Sequence, residues 1–214
     1  VFSDEKGRLI NGDRTIAIWS AYRQQLGELD PSVVVGTVMS NGGFDAWLKG
    51  RGITLERAPV GDKYVSERIR ATGAKIGGEQ SGHIIFPALG PTGDGLATAL
   101  ELFRTLVLSR RPASEWYDEF ETWPQVLINV TVREREGWDS QPRVAEALAQ
   151  AAEQLGDRGR VNVRPSGTQP MIRVMVEADD YGLRDDVAAK LLSAMEADLD
   201  AKVYSRVDLT HALG

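Results

Sequence analysis

A chain of 214 residues, 42% hydrophobic and 26% charged, is long enough to bury one large core or two modest ones. Its net charge of −6 and pI near 5.1 argue against a broad nucleic-acid surface. The absence of cysteine excludes disulfides and thiolate metal centres, and no apolar run approaches membrane-spanning length. No nucleic-acid or membrane partner is therefore expected. A reducing, cytoplasmic setting fits this composition, and an anionic ligand requires a local cationic pocket.

Val1-Phe2-Ser3 reads as the end of a strand and Asp4-Glu5-Lys6-Gly7-Arg8 as a turn. With no starting Met, the chain is expected to be a piece of something longer, and residues 1–29 the remnant of a preceding α/β domain. Asp13 is placed to cap a helix in which Ile16, Trp19, Tyr22 and Leu26 recur at helical spacing and which Gly27 ends. Pro31 disfavours helix at Asp30, so Leu29-Asp30-Pro31 reads as a linker.

An α/β rhythm follows. Ser32 to Val38 is apolar on both faces, as a buried parallel strand is. Ser40-Asn41-Gly42-Gly43 turns into a helix from Phe44 to Lys49, and Ile53 to Ala58 is a second strand. Gly61-Asp62-Lys63 opens a helix with Tyr64, Val65 and Ile69 on one side. Thr92-Gly93-Asp94-Gly95 begins a long helix to about Leu108, capped by Asp94 and burying Leu96, Leu100, Phe103 and Val107. Glu115 to Phe120 reads as a short helix.

Composition then shifts near Trp123-Pro124. Val126, Ile128, Val130 and Val132 alternate with Leu127, Asn129 and Thr131, the period of a half-exposed strand. Pro142 to Leu155 is an alanine-rich amphipathic helix, Val161 to Arg164 and Ile172 to Glu177 are strands, and Leu183 to about Leu199 is a last helix. The predicted fold is α/β: a layered α/β domain over residues 30–122, then a smaller α+β domain over 123–214 with an antiparallel sheet and helices on one face.

Two loops carry chemistry. Gly77-Gly78-Glu79-Gln80-Ser81-Gly82-His83 lies between the apolar runs Ala74-Lys75-Ile76 and Ile84-Ile85-Phe86. It sets a carboxylate, an amide, a hydroxyl and an imidazole on a backbone loosened by glycine, which suits the gripping of a polyol. A glycine-rich hairpin whose polar groups satisfy their own backbone is the other reading. Arg164-Pro165-Ser166-Gly167-Thr168-Gln169-Pro170 is the second loop. Its prolines fix entrance and exit, Gly167 lets consecutive N–H groups turn inward, and Ser166 and Thr168 add hydroxyl donors. Arg164 and Arg173 at the adjoining strand ends supply guanidinium forks suited to phosphate. The alternative is a tight turn with Ser and Thr bonding their own backbone. No nucleotide P-loop and no Gly-x-Ser-x-Gly elbow occurs.

With both loops in view, the chain resembles the α-D-phosphohexomutase family, and within it the bacterial phosphoglucosamine mutases. The matching words are Val35-Gly36-Thr37-Val38-Met39-Ser40-Asn41, Val60-Gly61-Asp62-Lys63-Tyr64-Val65, the Glu79 loop, Thr92-Gly93-Asp94-Gly95 and Arg164-Pro165-Ser166-Gly167-Thr168, in family order. The resemblance places the chain as the end of the second, and all of the third and fourth, of four domains. It implies exchange of glucosamine 6-phosphate and glucosamine 1-phosphate through glucosamine 1,6-bisphosphate and an enzyme phosphoserine, for peptidoglycan precursor synthesis. It implies Mg²⁺ bound by an upstream part, with no metal ligand here, so that these residues alone are inactive. The implied substrate-binding residues are Lys63, Glu79, Ser81 and His83, the last also a catalytic candidate because imidazole suits proton transfer near neutral pH. The implied phosphate-binding residues are Arg164, Ser166, Gly167, Thr168 and Arg173. Lys63 stands where the family often has Arg, and Gln169 where it usually has Glu, dropping a negative charge beside the anion site. A phosphomannomutase or phosphoglucomutase relative, and a non-catalytic sugar-phosphate module, are the alternatives. A homodimer of the full-length protein stays open.

Overall fold

The computed structural model describes residues 1–134, 136–166 and 169–210. The chain divides into two units, residues 1–122 and residues from Trp123 onward.

The first unit opens with the two-residue strands β1 (Phe2–Ser3) and β2 (Leu9–Ile10), an antiparallel pair. Helix α1 (Gly12–Gln25) follows, buried almost all round from Gly12 to Ala21. Residues 1–29 fall in this same unit, because α1 buries Ile16, Ala17 and Trp19 in one cluster with Val34, Phe44 and Leu48. Next come β3 (Val33–Thr37), α2 (Gly42–Gly50), β4 (Thr54–Ala58), α3 (Asp62–Thr72), β5 (Gly77–Gly78) and β6 (Ile84–Ile85). They form a four-stranded sheet in the order β4-β3-β5-β6, parallel except for β6. Alternation along β3 sends Val34 into the cluster shared with α1 and α2, and Val35 into one with Val65 and Ile69 of α3. That is why the strand reads as apolar on both faces. Outside α1 lie α4 (Gly95–Ser109) and α5 (Ala113–Tyr117), joined to it through Ile18, Leu102 and Trp116.

In the second unit, β7 (Gln125–Thr131), β8 (Gly159–Pro165), β9 (Met171–Ala178) and β10 (Lys202–Asp208) form an antiparallel sheet in the order β10-β7-β9-β8. Helices α6 (Pro142–Leu155) and α7 (Tyr181–Leu199) cover one face, closing a core of Val126, Ile128, Val130, Ile172, Val174 and Val176 against Val144, Leu155, Leu191 and Met195. Leu191 has no exposed surface. Leu191→Ala is expected to destabilise by about 3 kcal/mol, from lost transfer energy plus the cavity left behind. Urea unfolding checks this, and a cost under about 1 kcal/mol contradicts the core assignment.

Several expectations are corrected. The α1 cap is Asn11, whose side chain accepts from Arg14 N, whereas Asp13 lies inside the first turn and accepts from Asn41 N at 2.8 Å. Tyr64 is exposed while Val65 and Ile69 are buried, because adjacent helical positions point about 100° apart. The short helix is Ala113–Tyr117, with Pro112 at its N-cap, so it starts and ends earlier than Glu115 to Phe120. Strand β10 was not anticipated; it is exposed along nearly its whole length and lacks an apolar alternation. The largest difference is in α4. Asp94 caps it as expected, accepting from Leu96 N and Ala97 N at 2.9 and 3.0 Å. Yet Leu96, Leu100, Phe103 and Val107 are 72, 62, 54 and 73% exposed, and the buried face carries Thr98, Leu102 and Thr105. Among the described residues no helix is long and apolar enough to cross a membrane.

Candidate functional site

In the first unit the Glu79 loop hangs between β5 and β6. Its ends are closed by backbone bonds from Glu79 N to the His83 carbonyl and from Gly82 N to the Glu79 carbonyl. Gly82 has φ +103°, a conformation L side chains rarely adopt. The loop is also tied to the start of α1, where Gly12 N donates to the Gln80 carbonyl at 2.9 Å.

Glu79 is held from two sides. Its Oε1 accepts from Gly61 N at 2.7 Å, and its Oε2 accepts from Ser81 Oγ at 3.3 Å. Ser81 Oγ lies 3.3 Å from His83 Nδ1, which is 3.8 Å from Glu79 Oε2. Glu79, Ser81 and His83 are thus brought together, with His83 exposed and Glu79 largely covered. A carboxylate and hydroxyl fixed this way present acceptors and a donor to neighbouring hydroxyls of a ligand. Gln80 differs from its neighbours: its side chain is buried at 2% exposure and faces the interior.

Lys63 is not part of this cluster. It is exposed at the start of α3, with Nζ 5.9 Å from the Tyr64 ring centroid. The residue beside it, Asp62, is the one that sequence reasoning missed. Asp62, Glu79 and His83 each bring one ligand-type atom within 4.8 Å of the others. Its sequence signal is its place in Val60-Gly61-Asp62-Lys63, but the approach joins the start of α3 to the loop between β5 and β6. Mg²⁺ is a poor fit to this group. That hard cation prefers a near-octahedral oxygen set, whereas one donor here is an imidazole and one Glu79 oxygen is taken by Gly61.

In the second unit, strand register builds the other cluster. Arg164 of β8 pairs with Arg173 of β9, which pairs with Asn129 of β7. This row lies on the face away from the helices, since the neighbouring positions Val163, Val174 and Ile128 enter or pack on the core. Asn129 donates from Nδ2 to Ser205 Oγ at 2.8 Å. Among the described residues Arg164 and Arg173 make no ion pair, whereas nearby Arg160 pairs with Glu177 at 2.9 Å and Arg158 with Asp179 at 3.0 Å. Burial, and then the like charge of Arg173, pull the Arg164 guanidinium below its ordinary value. Two adjacent cations with no carboxylate beside them lower their energy when an anion arrives. Ser166 is buried next to them, with its N–H on the Met171 carbonyl at 2.8 Å. Gly167 and Thr168 lie outside the described residues. Gln169 is exposed, and its carbonyl accepts from Met171 N at 2.7 Å.

Residues 11–123 match the model of phosphoglucomutase/phosphomannomutase, alpha/beta/alpha domain III. The chain belongs to the phosphoglucomutase/phosphomannomutase family. Residues 127–194 match the C-terminal domain of the same family. Among curated members, the chain is similar to phosphoglucosamine mutase of Maricaulis maris, 48% identical over 191 residues, covering 87% of this chain and 42% of the relative. It is 44% identical over 194 residues to phosphoglucosamine mutase of Mycolicibacterium paratuberculosis, covering 91% of this chain and 44% of the relative. The Mycobacterium tuberculosis phosphoglucosamine mutase is 44% identical over 192 residues, covering 90% and 43%. This family member therefore spans less than half the length of the curated relatives it matches.

Among solved structures, the fold is shared with Aspergillus fumigatus N-acetylphosphoglucosamine mutase in complex with GlcNAc-6P and magnesium. The TM-score is 0.73 at 21% identity, over 91% of this chain and 49% of that one. It is shared as well with an N-acetylglucosamine-phosphate mutase of the α-D-phosphohexomutase superfamily in its product complex, with a TM-score of 0.69 at 20% identity, over 90% and 45%.

Proposed function

We propose that this chain supplies the sugar and phosphate recognition of a phosphoglucosamine mutase of its relatives' length. That enzyme interconverts glucosamine 6-phosphate and glucosamine 1-phosphate through a bisphosphate and an enzyme phosphoserine. In this reading the phosphoserine and the Mg²⁺ are held by parts of the protein outside these residues, and the 214 residues alone bind substrate without turning it over. The reading is supported by 44–48% identity to phosphoglucosamine mutases over about nine-tenths of the chain. The observation that carries it is the Arg164–Arg173 pair, two cations brought side by side with no counter-ion among the described residues.

The roles divide by unit. Glu79 and Ser81 take ligand hydroxyls, the carboxylate contributing charge-assisted bonds that fix the ring's orientation. His83, within reach of Ser81 and exposed, is the group suited to move a proton at a ligand hydroxyl. Lys63, one residue from Asp62, offers a point charge to a ligand oxygen. Arg164, Arg173, Ser166, Gly167 and Thr168 take the phosphate that is not being transferred. A substrate accepted in two orientations needs this separation of duties, because the hydroxyl grip must serve both while the charged grip holds whichever phosphate is distal.

The test is Glu79→Gln, which keeps the shape and an acceptor for Gly61 N but removes the charge. Affinity for glucosamine 6-phosphate, measured by calorimetry, is expected to fall about ten- to a hundredfold, the worth of one or two charged hydrogen bonds. Unchanged affinity sinks the sugar-grip assignment. Glucose 6-phosphate and mannose 6-phosphate run alongside separate the reading from the phosphoglucomutase and phosphomannomutase alternatives. Equal or tighter binding of either counts against the glucosamine assignment.

A further inference from the structure

Where α3 starts beside the β5–β6 loop, donors of two kinds meet. One atom each of Asp62, Glu79 and His83 lies within 4.8 Å of the other two, and Glu79 Oε2 stands 3.8 Å from His83 Nδ1. Among the described residues no lysine or arginine pairs with either carboxylate. Glu79 approaches only the His83 imidazole, and Lys63, next to Asp62, keeps its Nζ 5.9 Å from the Tyr64 ring centroid. Two carboxylates this close and without a cation lower their energy when one arrives.

The donors are also set for the task. Gly61 N holds Glu79 Oε1 at 2.7 Å, which fixes the carboxylate and leaves Oε2 on the His83 side. Metal-bound carboxylates are oriented in this way, by a hydrogen bond to the second oxygen. An imidazole beside two carboxylates suits a borderline ion such as Zn²⁺, whereas Mg²⁺ seeks six oxygens. Zn²⁺ binds nitrogen and carboxylate oxygen at about 2.0–2.2 Å in a tetrahedron, so its ligand atoms stand about 3.3–3.6 Å apart. The 3.8 Å between Glu79 and His83 is close to that spacing. The wider gaps within the 4.8 Å group close by rotating His83 and Asp62, both exposed. Three protein donors leave the fourth position to water or a ligand oxygen.

We propose that Asp62, Glu79 and His83 bind a divalent ion of the zinc class, and that this ion competes with the sugar for the Glu79 loop. The ion takes Glu79 Oε2 and His83 Nδ1, and the Ser81 hydroxyl, 3.3 Å from each, loses both partners to it. The loop cannot then offer the same carboxylate oxygen to a ligand hydroxyl. The competition rests on the reading of Glu79 and Ser81 as the sugar grip; the ion site stands on the cluster alone.

The chain has no cysteine and one other histidine, His211, so few other groups attract such an ion. Zn²⁺ is titrated into the 214-residue chain by calorimetry, and Co²⁺ in its place is followed by visible absorption, which is intense when the ion is four-coordinate. One ion per chain is expected, and Mg²⁺ at the same concentration is expected to give no binding heat. Both Asp62→Asn and His83→Ala are expected to weaken Zn²⁺ at least about tenfold, the worth of one lost ligand, and His211→Ala to leave it unchanged. The two substituted side chains are exposed, so neither variant threatens the fold. At ten times its own dissociation constant, Zn²⁺ is expected to raise that for glucosamine 6-phosphate about elevenfold, the factor for simple competition. In Asp62→Asn the same Zn²⁺ concentration is expected to raise it less than about threefold, while affinity without metal stays as in the unmodified chain. Zn²⁺ affinity that survives either Asp62→Asn or His83→Ala overturns the site, and so does its loss in His211→Ala. Zn²⁺ bound at these residues with no effect on glucosamine 6-phosphate overturns the competition. Should glucosamine 6-phosphate fail to bind even without metal, the functional reading falls, and the Zn²⁺ titrations of the variants decide the ion site on their own.

Discussion

Replacing Arg164 and Arg173 together with alanine is expected to raise the dissociation constant for glucosamine 6-phosphate at least about a hundredfold, while leaving unfolding in urea nearly unchanged. Hydrogen bonds to charged groups contribute about 1.5–3 kcal/mol each. Losing a phosphate contact from each guanidinium therefore costs about 3–6 kcal/mol of binding, or two to four decades. Stability behaves differently because the two side chains face each other across the β8–β9 register with no carboxylate beside them among the described residues. Arg164 already sits below its ordinary pKa through burial and the charge of Arg173, so removing the pair relieves a repulsion instead of breaking a salt bridge. Arg158→Ala is the control. It breaks an exposed pair with Asp179 and is expected to leave binding intact. Retained affinity in the double variant contradicts the assignment of the phosphate grip to Arg164 and Arg173.

Gly12→Ala is expected to cost about 2–4 kcal/mol of stability and to weaken sugar recognition at the same time. Gly12 does not need a left-handed conformation; the reason it is glycine is proximity. A Cβ at this position would stand 1.8 Å from the Glu79 carbonyl oxygen and 3.1 Å from Gly82 N, both backbone atoms that cannot swing aside. Either α1 or the Glu79 loop has to move. The loop is the thinner element, and moving it pulls Glu79 away from Gly61 N. The gain of about 1 kcal/mol in helix propensity from Gly to Ala is too small to offset this. Urea unfolding and calorimetry with glucosamine 6-phosphate read the two effects separately. Stability and affinity both within error of the unmodified chain contradict the close approach of α1 to the loop.

Much of this architecture was legible because local pattern and tertiary role agree. β3 reads as a doubly buried strand and is one, since Val34 and Val35 enter clusters on opposite faces. The β7 alternation places Ile128 and Val130 in the core and Asn129 on the open face. Pattern fails where it names an apolar face without saying what covers it. α4 offers two such faces, and the one chosen by α1 contains Thr98 and Thr105 while the all-apolar row is left outside. Asn11 and Asp13 are both good caps two residues apart, and only the backbone decides: Asn11 is extended at φ −79° and ψ −174°, while Asp13 is helical. β10 has no apolar face to announce it, since its ladder bonds to β7 define it.

The candidate site residues divide along the same line. Glu79, Ser81 and His83 are neighbours in sequence, so one loop brings them together and the motif could be read directly. Asp62 reaches that cluster from the start of α3, and Asn129 reaches the arginine row only through the β7–β9 register. Contacts of that kind are set by tertiary pairing, which no local spacing encodes.

The most direct test is a titration of the isotopically labelled 214-residue chain with glucosamine 6-phosphate, following backbone amide resonances. Gly61, Glu79, Ser81 and His83 in the first unit, and Arg164, Ser166 and Arg173 in the second, are predicted to shift along one binding curve with a common midpoint. Inorganic phosphate should move only the second set. Shifts confined to one unit, or two sets with unrelated midpoints, contradict the assignment of both grips to a single phosphosugar.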